Sequence, residues 1–170
     1  MNKPFNPISM KKLAFVLAVI AVLSSCAAMA ESSEDKKETQ KKVKEAVEKL
    51  ELKIVVSTIM PNIGPSIPTT DGYFLQFKDD VVNSYLPFFG ESHSSVMYGV
   101  DETGIKLEDY EADIKVEKGK KGKKTIRFNG KSGNDTWSFI VDIWPEGQAN
   151  ISCTCATKSG MNYIGEVEFE

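Results

Sequence analysis

Apolar and polar positions change rhythm twice along this chain. Leu13 to Leu23 form an unbroken apolar run behind Lys11 and Lys12. A charged stretch follows, and then Val43, Ala46, Val47 and Leu50 fall at i, i+3, i+4 and i+7, the spacing that lines one face of a helix. Glu38 with Lys42 and Glu45 with Lys49 stand four apart, and each such pair adds only about 0.2–0.5 kcal/mol. The pattern predicts a short amphipathic helix, begun within the charged stretch and packed on the domain. The alternative is an exposed spacer helix that docks on a partner.

From about residue 52 the period becomes two. Leu52, Ile54, Val56 and Thr58 alternate with Lys53, Val55 and Ser57, as a strand does when one face is wet. The prolines at 61, 65 and 68 interrupt it, because each removes a donor and fixes φ. Tyr73 to Lys78 reads as a strand, Asp79-Asp80 as a turn, and Val81-Val82 as the sheet resuming. Further on, Tyr110, Ala112, Ile114 and Val116 alternate with acids and a lysine, which predicts one strand across 110–116. Thr125 to Phe128, Trp137 to Ile143, Ala149 to Cys155 and Tyr163 to Phe169 complete the series, separated by Gly-, Pro- and Ser-containing turns. Short strands at this spacing predict a mainly β fold, a single antiparallel meander closed as a barrel or sandwich so that its edges are hidden.

The front of the chain carries a different instruction. A basic pair, an apolar run and small residues make a secretory signal, and the run falls short of the roughly 20 residues a spanning helix needs. Two cleavage patterns then compete. Leu23-Ser24-Ser25-Cys26 resembles the bacterial lipobox, in which the thiol receives a diacylglyceryl group. Ala28-Met29-Ala30 fits ordinary signal peptidase. The lipobox demands more of the sequence and directly follows the apolar run, so the expected layout is a signal peptide at 1–25, a tether at 26–42 and a β-rich domain with its helix at 43–170. Lipid on Cys26 would fix the chain to a membrane. Ala27 to Ala30 separate that cysteine from the first acids, which favours the periplasmic face of the outer membrane over surface export.

Composition narrows the function. The full chain carries a net charge of −3; loss of residues 1–25 removes three lysines and no acid, leaving 18 basic and 24 acidic residues, a net charge near −6. A dedicated nucleic-acid binder needs a basic surface, so none is expected as partner. With Cys26 assigned to lipid, only Cys153 and Cys155 remain, so an ordinary hydrophobic core must hold the domain.

Leu86-Pro87-Phe88-Phe89-Gly90 after a strand, Thr103-Gly104-Ile105, and the closing Asn162-Tyr163-Ile164-Gly165-Glu166-Val167 form a recurring set. With the lipobox ahead of them, the chain resembles a family of Bacteroidetes envelope lipoproteins, domain of unknown function 4251, over roughly residues 50–170. Members typically have tyrosine where this chain has Phe88 and a second glycine where it has Thr103. The resemblance implies an envelope location and a β-rich fold, and it supplies no activity.

Several positions are candidates for chemistry. Leu86 to Gly90 sets two aromatic rings beside a proline and a glycine; the residues can plug one end of the sheet or, with Tyr85 and Tyr98, form the mouth of a ligand pocket from Tyr85, Phe88, Phe89 and Tyr98. The only histidine, His93, lies among serines without a nucleophile elbow, and adjacent serines cannot meet it as a nucleophile meets its base. One histidine cannot build a His-rich metal site, and no cofactor loop is present, so neither metal nor cofactor is expected. Cys153 and Cys155 on one strand are about 7 Å apart, too far for an unstrained disulfide, and read as buried small side chains. Lys118 to Lys124 reads as a hairpin tip carrying solubilising charge; it could also meet an anionic lipid or polymer. Acid pairs Asp79-Asp80, Asp101-Glu102 and Glu108-Asp109 sit in turn-like contexts. The expected function is a non-catalytic, lipid-anchored envelope binding or accessory protein for a small molecule, a glycan or another envelope protein. Its alternatives are a hydrolase using paired carboxylates and a structural partner in an envelope complex.

Overall fold

The computed structural model describes residues 34–69, 72–90 and 104–169. The chain divides into two compact units, Met1–Glu38 and Thr39–Glu170. Of the first, residues 34–38 are described, and they are helical. In the second unit the same helix, α1 (residues 34–49), runs to residue 49 and is followed by ten strands. Among the described residues no helix is long and apolar enough to cross a membrane.

The strands are β1 (Glu51–Pro61), β2 (Ile67–Pro68), β3 (Phe74–Lys78), β4 (Val81–Leu86), β5 (Ile105–Glu111), β6 (Lys115–Lys118), β7 (Lys124–Ser132), β8 (Asp135–Ile143), β9 (Gln148–Cys155) and β10 (Met161–Glu168). They form one antiparallel sheet in the order β5-β4-β3-β1-β10-β9-β8-β7-β6, with β2 paired to β1. The fold is therefore mainly β, as the alternation predicts, and the nine-strand sheet curls into a half-barrel behind a single helix. The two end strands of this order, β5 and β6, are consecutive in sequence. Only Ala112-Asp113-Ile114 separates them, so curling brings the sheet's edges close together.

That connection corrects the expectation of one strand across 110–116. The chain leaves β4 after Glu111 and rejoins the sheet against β7 at Lys115. The alternation runs into the break because Tyr110, Ala112 and Ile114 all pack against the core; it ends at Val116, which is exposed on β6.

Inward positions fill the barrel with Ile54, Val56, Leu75, Phe77, Val82, Ile126, Phe128, Phe139, Val141, Ile151 and Tyr163. Phe128 stacks on Phe139 (centroids 4.5 Å apart, planes at 4°) and takes Phe77 edge-on at 5.5 Å. At one end α1 lays Val43 and Val47, both buried, over the interior, and burying such a side chain contributes about 1.5–3 kcal/mol. Leu50 ends the helix with φ +53, and its N–H bonds the Val47 carbonyl at 3.3 Å before β1 begins. Lys124 is buried at this end, where its ammonium meets Glu48 of α1 at 3.3 Å. The lysine run is thus not wholly a solvated tip: its last member lies on the inner face, aligned with Ile143.

Candidate functional site

The opposite end of the half-barrel is closed by residues that the sequence marks as a set. Leu86 and Pro87 are buried, Phe88 is half-buried and Phe89 is exposed. Phe88 meets the buried Trp137 edge-on at 5.8 Å, and the Lys158 ammonium lies 5.4 Å from the Phe88 centroid. Gly104, at φ +60, sits so close to this corner that a Cβ there would lie 2.3 Å from the Leu86 carbonyl oxygen. Tyr163 Oη donates to the Pro87 carbonyl at 2.8 Å. These contacts give the Leu86–Phe88 corner the role of a plug.

Tyr85 lies elsewhere. Strand alternation turns it to the outer face of β4, where it is 38% exposed and tilts against Tyr73 at 5.4 Å. Tyr85 packs against Tyr73, whereas Phe88 packs against Trp137 and Lys158. Tyr98, His93, Asp101-Glu102 and Cys26 lie outside the described residues. Asp79-Asp80 is the two-residue turn between β3 and β4. Glu108-Asp109 instead occupies an irregularity in β5, where Asp109 takes φ +43 and exchanges two bonds with Asn83: the Asp109 N–H donates to Asn83 Oδ1 at 2.8 Å, and Asn83 Nδ2 donates to Asp109 Oδ1 at 3.2 Å.

Cys153 is fully buried and Cys155 half-buried, both as free thiols. Burial pushes the Cys153 thiol well above its usual range, and burial, reinforced by Cys153, pushes the Tyr163 hydroxyl up as well. On the outer face, burial works to raise the Asp142 carboxyl, but hydrogen bonds from Thr125 Oγ1 (2.6 Å) and Lys123 Nζ (2.9 Å) outweigh it and hold that carboxyl below its usual range. Among the described residues, no three His, Cys, Asp or Glu side chains converge as a metal-ligand set.

The cleft with the most varied chemistry lies at the seam where the sheet's edges approach. β7 pairs with β6 only from Lys124 to Arg127. Farther along β7, the Lys106 N–H of β5 bonds Ser132 Oγ at 2.9 Å. Between these two stitches the chain leaves a cleft of about 520 Å³, within the size range of small-ligand sites. Tyr110, Phe128, Phe139 and Ile140 line it with apolar surface; Glu111, Asp113, Lys115, Arg127, Asn129 and Ser138 supply polar groups. Arg127 Nε bonds Glu117 at 3.3 Å, the Lys115 ammonium stands 3.9 Å from Asp113, and Ser138 Oγ donates to Asn129 Oδ1 at 2.8 Å. A guanidinium has five donors, so Arg127 keeps others for an anionic or hydroxyl-rich ligand. Sequence reasoning passes over Lys115, Arg127, Asn129 and Ser138 because each is an ordinary exposed strand position; what joins them is the break at Ala112–Ile114.

The sequence profile of domain of unknown function 4251 (DUF4251) matches residues 34–167. The chain belongs to this family. A crystal structure of a DUF4251 family protein from Bacteroides eggerthii is similar to this chain at a TM-score of 0.57 and 14% identity, covering 76% of this chain and 86% of that one. At that identity the likeness speaks to the fold, the curled sheet that this member of DUF4251 builds. Comparison with curated proteins gives no match.

Proposed function

We propose that this DUF4251 protein is a non-catalytic accessory module of the cell envelope, lipid-anchored through Cys26, that holds a small molecule or glycan fragment in the cleft between β5 and β7. The anchor reading is supported by the order Lys11-Lys12, the apolar run and Leu23-Ser24-Ser25-Cys26. Ala27 to Ala30, ahead of the first acids, favour the periplasmic side of the outer membrane. The observation that carries the binding reading is the seam itself. At the one stretch where β7 lacks a strand on its β6 side, the accessible Tyr110 and Ile140 and an arginine line the same cleft, the combination of apolar wall and few polar groups that ligand sites use. The acids of that cleft, Glu111 and Asp113, are exposed. That favours binding over a hydrolase built on two enclosed carboxylates.

Amide chemical-shift mapping with a panel of cell-wall glycan fragments and small amphiphiles tests the cleft. Shifts should gather at Tyr110, Arg127, Asn129 and Ser138, and Arg127→Ala should weaken binding roughly tenfold, the scale of one charge-assisted hydrogen bond. Shifts that gather around Tyr85 and Tyr73 instead would overturn the cleft assignment. The intact mass of the mature protein tests the anchor separately: an acylated Cys26 is expected, and an unmodified chain beginning at Glu31 rules it out.

A further inference from the structure

The seven-residue turn from Lys118 to Lys124 carries five lysines on a chain whose net charge is −3. It is a shaped element rather than a loose loop. A 3-10 turn at Lys120–Gly122, with Lys121 at φ +56, is closed by the Gly119 N–H to the Lys123 carbonyl at 2.8 Å. Lys123 and Lys124 are both engaged, Lys123 by Asp142 on the outer face at 2.9 Å and the buried Lys124 by Glu48 at 3.3 Å. Those two pairs hold the turn against the sheet and α1 and leave Lys118, Lys120 and Lys121 exposed. Lys44 of α1 lines one hollow with Lys118, Gly122, Lys124 and Pro145, so the helix adds a further exposed ammonium to the same face. Other acids close in sequence are engaged, Glu45 by Lys41 and Glu117 by Arg127; Glu146, next to Pro145, offsets at most one of the four charges.

We infer that Lys44, Lys118, Lys120 and Lys121 form a docking face for an anionic phospholipid surface, which the domain lies against. Four ammonium groups on a protein of opposite net charge complement a sheet of phosphates, and each lysine brought near such a surface is worth about fivefold in partition. The inference rests on the anchored reading only for which surface is at hand, since the tether from Cys26 enters the domain through the helix that bears Lys44.

Trp144 is a built-in reporter. It is 38% exposed, with the Lys123 ammonium 5.9 Å from its ring, whereas Trp137, the only other tryptophan, is buried at the plugged end. The protein as processed in cells is mixed with vesicles bearing a headgroup spin label, made of phosphatidylcholine alone or with phosphatidylglycerol. Trp144 emission should be quenched more strongly on the anionic vesicles, and the difference should fall as salt rises. In K44Q/K118Q/K120Q/K121Q the excess quenching on the anionic vesicles should be lost, with an unchanged thermal midpoint because all four side chains are exposed. Equal quenching on both vesicles, or an unaffected variant, overturns the inference. Inorganic phosphate that competes better than chloride at matched ionic strength would make the face a free-phosphate site and also overturn it. The intact mass of the same sample reports acylation of Cys26, so failure of the anchor and failure of the lysine face are read independently.

Discussion

Tyr163 of β10 reaches through the interior to the corner after β4, where its hydroxyl donates to the carbonyl of Pro87 at 2.8 Å across 76 positions of sequence. β3 and β1 stand between those strands in the sheet, so no ladder pairing joins them and this bond ties the plug to the far wall. Tyr163 is fully buried. Tyr163→Phe keeps the ring and leaves the Pro87 carbonyl without this donor, a loss of about 1–3 kcal/mol. Denaturant titration should show a lower midpoint at an unchanged slope, since the surface exposed on unfolding is nearly the same.

Gly165 answers to a different constraint. A Cβ at this position would lie 2.2 Å from the Val55 carbonyl oxygen of β1, and backbone there cannot swing aside as a side chain would. Gly165→Ala should force β1 and β10 apart and cost about 1–3 kcal/mol or more. Hydrogen exchange should show the amides of Val55, Val56 and Gly165 losing protection ahead of those in β7 and β8.

The motif residues were legible as a set, and the reason for them was not. Leu86-Pro87, Gly104 and Tyr163-Ile164-Gly165 stand out in the sequence, but only the fold shows Gly104 pressed on the Leu86 carbonyl and Tyr163 bonded to Pro87. The strand pattern was equally readable at Trp137–Ile143 and Ala149–Cys155, where one face is wet. It failed at Ala112–Ile114 because alternation records which side meets the core and says nothing about which neighbour is paired. The cleft follows from that unreadable step, so Arg127 and Asn129 looked like solvent-facing positions. Lys124 was hidden by its neighbours: a lysine among lysines gives no sign that it is the one turned inward.

Lys124 and Glu48 therefore make an asymmetric pair, with side chains 10% and 45% exposed. Glu48→Gln should destabilise the fold by about 1–2 kcal/mol, less than the cost of breaking a wholly enclosed pair because water still reaches this one. Lys124→Met removes the charge and its desolvation together, and should fall within about 1 kcal/mol of the parent or exceed it. Thermal unfolding of the two variants distinguishes this from a simple ion pair, for which both substitutions would cost alike.

The buried thiol and phenol set the alkaline limit of the fold. Cys153 and Tyr163 lie together in the core, and burial raises both above their ordinary values of 9.0 and 10.0. Each is therefore neutral in the folded state at pH values where the unfolded chain has begun to lose its proton. A raised acid contributes stability in full below its unfolded value, and the contribution is lost as pH climbs toward the folded value. Stability should hold up to about pH 8.5 and decline beyond it, first through the thiol and then, above about pH 10, through the phenol as well. Cys153→Ala should move the onset of the decline upward by about one pH unit while leaving the later limb in place. Tyr163→Phe should flatten the later limb and leave the onset unchanged. Denaturant midpoints across this range check both, and a decline with the same onset and the same slope in the two variants would assign the alkaline limit to other groups.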